Sequence, residues 1–308
     1  MFTKITFAQV VDPEKQLRTK DIDTLNGWKS SNVIGVNFSQ SSFTNWAAGG
    51  QNSIAVNSLF SLSAKYKSKH SSWDNFLDLG YGMQKQGKDG EVIKTDDKLD
   101  FTSKYGKDAF KNWFYAALIN FKSQMTPGYK YPNDSTIISD FLAPAYITTA
   151  LGMDFKKGEN LSIFIAPVSG RITIVNSTLL ADAGSYGVEA ATYDTTGKII
   201  SHGKKIRSEF GGYMRIFWKI DIMKNITFQS KVDLFSNYIK HPENVDVNWE
   251  ALISMKVNKY ISATISTNLI YDDDVIIAVD KNNDGIIEAN GPRIQFKEVL
   301  AIGFTYKF

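Results

Sequence analysis

The sequence predicts an all-β fold: a transmembrane, antiparallel, up-and-down β-barrel of about twelve strands, with short periplasmic turns and long extracellular loops. Three observations lead there. The first is long period-two alternation, plainest in residues 292–308. There Ile294, Phe296, Glu298, Leu300, Ile302, Phe304, Tyr306 and Phe308 form a nearly all-apolar face, and Arg293, Gln295, Lys297, Val299, Ala301, Gly303, Thr305 and Lys307 a small or polar one. That period belongs to a strand with one greasy and one wet face. The stretch is longer than the roughly five or six residues of a soluble strand, and suits the about nine to eleven needed to cross a bilayer at a tilt. The second is the order of connections, in which short polar turns alternate with longer loops of varied length, as in outer-membrane barrels. The third is that no run approaches the apolar length of a spanning helix.

The composition is compatible with this. Hydrophobic residues make up 43% of the chain and mean hydropathy is −0.22, an average expected when only alternate residues face lipid. A formal charge of +3, with lysines and arginines scattered, gives no basic face for nucleic acid. Zero cysteines exclude disulfides, thiolate metal sites and a Cys nucleophile.

Residues 1–26 read as a signal remnant and periplasmic lead-in, with Ile5-Thr6-Phe7-Ala8-Gln9 like the tail of a secretory signal, and 27–308 as the barrel. The first strand sets Trp28, Ile34, Val36 and Phe38 against Val33, Gly35 and Asn37. The second follows a Gly-rich tip and carries Ile54, Val56, Phe60, Leu62, Ala64 and Tyr66. The third holds Trp73, Leu77, Leu79, Tyr81 and Met83, and a charged loop at 86–97 precedes the fourth, Leu99 to Tyr105. A turn at Gly106-Lys107-Asp108 leads to the fifth, Trp113 to Phe121, then a loop at 124–143. The sixth and seventh, Ile147 to Phe155 and Leu161 to Ile165, are joined by a turn at 156–160 and followed by the longest loop, 169–204. The eighth to eleventh run Ile206 to Ile220, Ile226 to Tyr238, Val245 to Val257 and Ile261 to Tyr271, with an acidic loop at 272–291 before the closing strand. Both chain ends then fall on the periplasmic side of a bacterial outer membrane. Trp28, Trp73, Trp113, Trp218, Tyr260 and Phe308 stand at strand ends beside short turns, as an interfacial aromatic belt requires.

The stretch Asn45-Trp46-Ala47-Ala48-Gly49-Gly50-Gln51-Asn52-Ser53 resembles a motif of a Bacteroidota family of outer-membrane barrels of unknown function. The resemblance implies a Gram-negative outer membrane and no particular activity. The terminal Phe308, with Leu300, Ile302, Phe304 and Tyr306, resembles the signal read by the barrel assembly machinery, which is then a partner during insertion. Outer-membrane lipids and lipopolysaccharide are the expected surroundings.

Several residues carry candidate chemistry. Asp280, Asn282, Asp284, Ile286 (through its carbonyl) and Glu288 have oxygen ligands at the spacing of a short calcium loop, with Gly285 at the sharp turn; a solvated acidic tip is the plain alternative. The inward set is charged with both signs: Asp74, Asp78, Asp100, Lys104, Lys122, Asp154, Arg207, Glu209, Arg215, Lys219, Lys231, Asp233, Asp246, Glu250 and Lys256. Pairing across the interior is expected, leaving either a small polar pore or a filled, rigid barrel. The histidines, His70, His202 and His241, fall in turns and loops, not beside a Ser on a strand face, so a lipid hydrolase has little support and no catalytic residue is assigned. Apolar stretches in the long loops, Ile137-Ile138, Phe141-Leu142 and Leu179-Leu180, suggest either docking to a surface lipoprotein or other outer-membrane protein, or closure over the barrel mouth. The expected function is a non-enzymatic structural or accessory role, in a larger complex or alone, with a narrow porin-like diffusion channel as the alternative.

Overall fold

The computed structural model describes residues 26–42, 51–131, 133–158, 160–258, 261–279 and 289–307. Twelve long strands form the wall: β1 (Gly27–Ser41), β2 (Ser53–Lys67), β3 (Ser71–Gln86), β4 (Val92–Phe110), β5 (Trp113–Ser123), β6 (Ala145–Lys157), β7 (Leu161–Ile174), β8 (Ile206–Met223), β9 (Ile226–Asn237), β10 (Val245–Lys256), β11 (Ile261–Tyr271) and β12 (Gln295–Lys307). Each is antiparallel to its chain neighbours. The ring closes where Val33 to Asn37 of β1 pair with Lys307 to Gly303 of β12. Closure removes both sheet edges, so the ladder leaves no free strand to hydrocarbon. No helix among the described residues is long and apolar enough to cross a membrane. The chain is a twelve-stranded antiparallel barrel of the transmembrane type.

The two faces divide as their periodicity requires. Outward stand side chains such as Phe101, Leu151, Phe296 and Leu300, between 37% and 68% exposed. Leaving one such side chain in water forgoes about 1.5–3 kcal/mol, so a wall of them demands an apolar neighbour. At the short-turn end the rings gather in the expected belt. Trp28 meets Tyr66 at 5.4 Å and Trp73 at 5.6 Å, Trp113 meets Phe155 at 5.3 Å, and Trp218 meets Phe228 at 5.9 Å. Tyr260 and Phe308 lie outside the described residues.

Several boundaries differ from those expected. The turn after β4 is Lys111-Asn112 rather than Gly106–Asp108, because β4 runs on to Phe110 and Asn112 supplies the left-handed conformation (φ 64°) a tight hairpin needs. The charged stretch 86–97 is mostly wall: β3 reaches Gln86 and β4 starts at Val92. The ladder slips between Gly82 and Met83, whose partners are Asp96 and Lys94, so Thr95 is an extra residue that shifts the alternation. Likewise β7 continues to Ile174. Opposite β8, Gly211 pairs with Ser169 and Tyr213 with Ala166, so Pro167-Val168 hold the extra residue and the inward set changes phase from Phe164 and Ala166 to Ser169, Arg171 and Thr173. Gly152 faces this bulge, and a Cβ there would lie 2.0 Å from the Ile165 carbonyl oxygen.

If hydrocarbon covers the outer wall, Leu300→Arg is expected to lower stability by about 2–4 kcal/mol, the cost of a basic group near mid-bilayer. Urea unfolding from lipid vesicles measures it; a change within about 0.5 kcal/mol, as at an ordinary wet surface, would place that face in water.

Candidate functional site

The interior holds a cavity of about 910 Å³ that runs from mid-wall to the long-loop end, where Gln84, Gln124 and Val275 line it. Alternation brings charged side chains inward from many strands, and the closed ring makes them meet. Arg215 grips Asp233 through Nε and, at 2.9 Å, through Nη2. Lys122 lies 3.9 Å from both Asp233 and Asp100, and Lys98 lies 4.0 Å from Asp100 and 3.8 Å from Glu250. Lys231 meets Glu250 at 3.0 Å. Since β4 and β10 are six strands apart in a ring of twelve, the Lys98–Glu250 contact bridges the lumen from one wall to the opposite one.

Two further groups flank this bar. Toward the short-turn end, Lys104 binds Asp154 at 2.6 Å, Ser162 Oγ donates to Asp154 at 2.8 Å, and Lys156 lies 3.6 Å from Asp154 and 3.7 Å from Asp74. An apolar patch of Ala116, Leu118, Ala150, Phe164, Ala166, Tyr213 and Phe235 packs beside it on β5 to β9. Toward the long-loop end, Arg171 binds Glu209 through two bonds of 2.8 and 3.0 Å, touches Asp246 and stacks 4.3 Å over the Phe235 ring. Its Nη1 lies 4.0 Å from Asp272, while Arg207 reaches Glu209 at 3.1 Å and Asp274 at 2.7 Å. Burial, reinforced by the nearby Asp246 carboxylate, pushes the Asp272 carboxyl up to about 6 despite Arg171 and Arg207.

The mouth is tied to the wall by its loops. Asp97 accepts from Met125 N at 2.8 Å and from Thr126 N and Oγ1 at 2.9 and 2.8 Å, and Lys94 donates to the Thr126 carbonyl at 2.7 Å. The loop after β7 contains a short helix, α1 (Thr178–Asp182), capped by Ser177. Leu180 and Ala181 bury against Ala143, Val175 and Val188, and the Tyr186 hydroxyl donates to the Ile138 carbonyl at 2.6 Å, joining the two long loops. Closure of the loops on themselves accounts for Leu180; Ile138, Phe141 and Leu179 stay exposed.

Most of the inward charges expected from the sequence are where alternation puts them; Lys256, at the short-turn end, is exposed. Lys104, Lys122, Asp154, Glu209, Arg215, Lys231, Asp233, Asp246 and Glu250 all join the network just described. Arg171, Asp97 and Asp272 are not among them: Arg171 sits beyond the bulge of β7, Asp97 stands next to the Thr95 bulge that breaks the alternation of β4, and Asp272 lies just past the end of β11. His70 lies 3.6 Å from Asp108 near the end of β4, His202 2.9 Å from Asp182 at the end of α1, and His241 3.2 Å from Glu243 in a loop. Asp280, Asn282, Asp284, Ile286 and Glu288 lie outside the described residues, between the paired strands Ile276–Val279 and Ala289–Pro292. Among the described residues, no group of three His, Asp or Glu side chains is placed to hold a metal ion.

A family model described as a protein of unknown function (DUF3078) matches residues 38–129, from the outer part of β1 to just beyond β5. No curated protein matches the chain. Among solved structures, the chain is similar to an outer-membrane channel from Pseudomonas putida F1, at 10% identity and a TM-score of 0.41 over 93% of this chain and 97% of that one. It is also similar to the translocator domain of the autotransporter NalP from Neisseria meningitidis, at 7% identity and 0.38 over 95% and 91%. A third is outer membrane phospholipase A from Escherichia coli, at 11% identity and 0.34 over 95% and 96%.

Asp272 titrates with a clear sign. Its folded-state value, about 6 against an ordinary 3.8, means its stabilising contribution is full below 3.8 and lost as pH rises through 6. Isotope-edited infrared titration is expected to show a carboxylate band absent in Asp272→Asn and growing in with a midpoint near 6; a midpoint near 4 would mean that the group is solvated.

Proposed function

We propose that this chain is a bacterial outer-membrane barrel, both termini periplasmic, that acts as a narrow, non-enzymatic diffusion channel for small polar solutes. The long-loop end then faces outside. The observation that carries the reading is the cavity of about 910 Å³ reaching that end, lined by charged side chains such as Asp100, Lys122 and Asp272, within a wall whose outer face is apolar. In this reading the Lys98–Glu250 bar crosses the route of the solute, with the ion pairs of Lys104, Asp154 and Lys156 lying toward the short-turn end. Pores built this way conduct through gaps between paired charges, so both width and field depend on which pairs hold.

A second reading, an accessory subunit of a larger outer-membrane complex, draws on the exposed apolar residues at the long-loop end, Leu179 and Ile239 at 64% and 78%. A surface lipoprotein is the partner type this reading favours. We also propose a calcium ion for the loop of Asp280, Asn282, Asp284, Ile286 and Glu288. Calorimetry with calcium is expected to show binding that Asp284→Ala removes; no heat and no shift in melting would end that idea.

In planar bilayers the channel reading expects small, steady conductance steps, raised about twofold when Lys98→Ala removes one arm of the bar. If wild type and variant are both silent, the channel reading fails, and a stoichiometric partner recovered from native outer membranes would favour the accessory role.

A further inference from the structure

Ring closure gives every strand two neighbours, but the seam between β1 and β12 is zipped over only part of its length. β1 pairs with β2 from Gly27 to Ser41, yet with β12 only over Val33–Asn37. β12 in turn pairs with β11 from Gln295 to Phe304. Continued toward the long-loop end, the same register would set Phe38 opposite Ile302, Gln40 opposite Leu300 and Ser41 opposite Val299; those rungs are not formed. Both edges are open there. Asn37 is buried, whereas Phe38, Ser39, Gln40 and Ser41 are all exposed, whichever face they belong to. On β12, Gln295 to Glu298 are all exposed, while their partners on β11, Thr267 to Ile270, are half-buried.

The open stretch lies at hydrocarbon depth and against the cavity. Its outward residues Phe38, Leu300 and Ile302 are apolar, and Asn37, Lys297 and Val299 line the cavity from the two edges. Unpaired backbone at membrane depth is sustained only inside protein or beside a wet cavity, and this cavity meets that need. The seam is therefore where the interior meets the bilayer sideways. Its lip also carries a charge. Glu298 shares the outward face of β12 with Phe296 and Leu300 and is exposed. Its chain neighbour Lys297 belongs to the inward face and binds Asp96 of β4 at 2.6 Å. A carboxylate on the lipid side of a barrel is unfavourable, and ionisable groups kept at such depth mark the path of a charged ligand.

The two surroundings select that ligand. A polar solute leaves by the mouth and an apolar one stays in the lipid; neither needs a side opening. An amphiphile does, with its head in the polar interior and its tail in hydrocarbon. We propose that the open part of the β1–β12 seam is a lateral port through which amphiphiles with an ammonium head pass between the cavity and the leaflet at the long-loop end, with Glu298 receiving the head at the lip. The proposal goes beyond the channel reading: it shares the cavity but needs no flow along the barrel axis.

Two measurements on the full chain in lipid vesicles test this. The chain has no cysteine, so introduced pairs report on the seam alone. Val36→Cys with Phe304→Cys, opposite one another in the zipped part, should form a disulfide on oxidation. Gln40→Cys with Leu300→Cys should do so at least about tenfold more slowly, since bridging needs Cα atoms within about 7 Å. Equal rates would mean a closed seam and overturn the port. The second measurement places a fluorophore on Ser266→Cys, which lines the cavity beside Val299. The quenchers are a dodecylammonium with a nitroxide on its head, its uncharged dodecyl equivalent, and the same ammonium head without a tail. The tailed cation is expected to quench at about tenfold lower concentration than the uncharged amphiphile. Glu298→Gln, which removes only a lipid-facing charge, should erase that preference. Equal quenching by the two tailed probes, or a preference unchanged in Glu298→Gln, would also overturn the proposal. The tail-less head reports entry by the mouth: its failure to quench counts against the channel and spares the port, whereas its quenching without any preference for the tailed cation does the reverse.

Discussion

A strand that crosses hydrocarbon has no water to satisfy its amides, so each backbone N–H and C=O must find its partner on a neighbouring strand. The chain meets this by closing β1 onto β12 over Val33–Asn37 and Gly303–Lys307. Closure sorts every side chain between two surroundings by parity alone. It explains why Phe296, Leu300, Ile302 and Phe304 share one face of β12, and why Gly303 between them points inward. It also explains why the aromatic pairs gather where the wall leaves the hydrocarbon.

The interior follows from the same constraint. A twelve-stranded ring encloses limited space, and inward charges there are too dear to leave alone. Pairs form between neighbours, as Arg215 with Asp233, and across the lumen, as Lys98 with Glu250. The result is stratified: a packed, ion-paired half below, a bar at mid-height and a polar vestibule above. Where pairing is dense the barrel is filled; toward the long-loop end, space and charge coexist.

Much of this was legible in the sequence. The twelve strands, their order, the alternation of short and long connections and most of the inward charges follow from period-two patterning and turn residues. What escaped was set by longer-range geometry. The extra residue at Pro167-Val168 shifts the phase, so Arg171 reads as loop although it is wall, and the extra Thr95 breaks the alternation beside Asp97, with the same result. Pairing partners such as Lys98 and Glu250 depend on which strands face each other across a closed ring, which no local pattern encodes. The split between buried Leu180 and exposed Leu179 depends on how two loops meet.

The central claim is that hydrocarbon, not water or protein, covers the outer wall. Tryptophan fluorescence in vesicles whose lipids carry bromine at defined depths tests it most directly. The account requires quenching of the outward indoles of Trp28, Trp73 and Trp218, strongest with bromine near the interface. A purified chain that stays folded and dispersed in plain buffer, with unquenched tryptophans when vesicles are added, would contradict it.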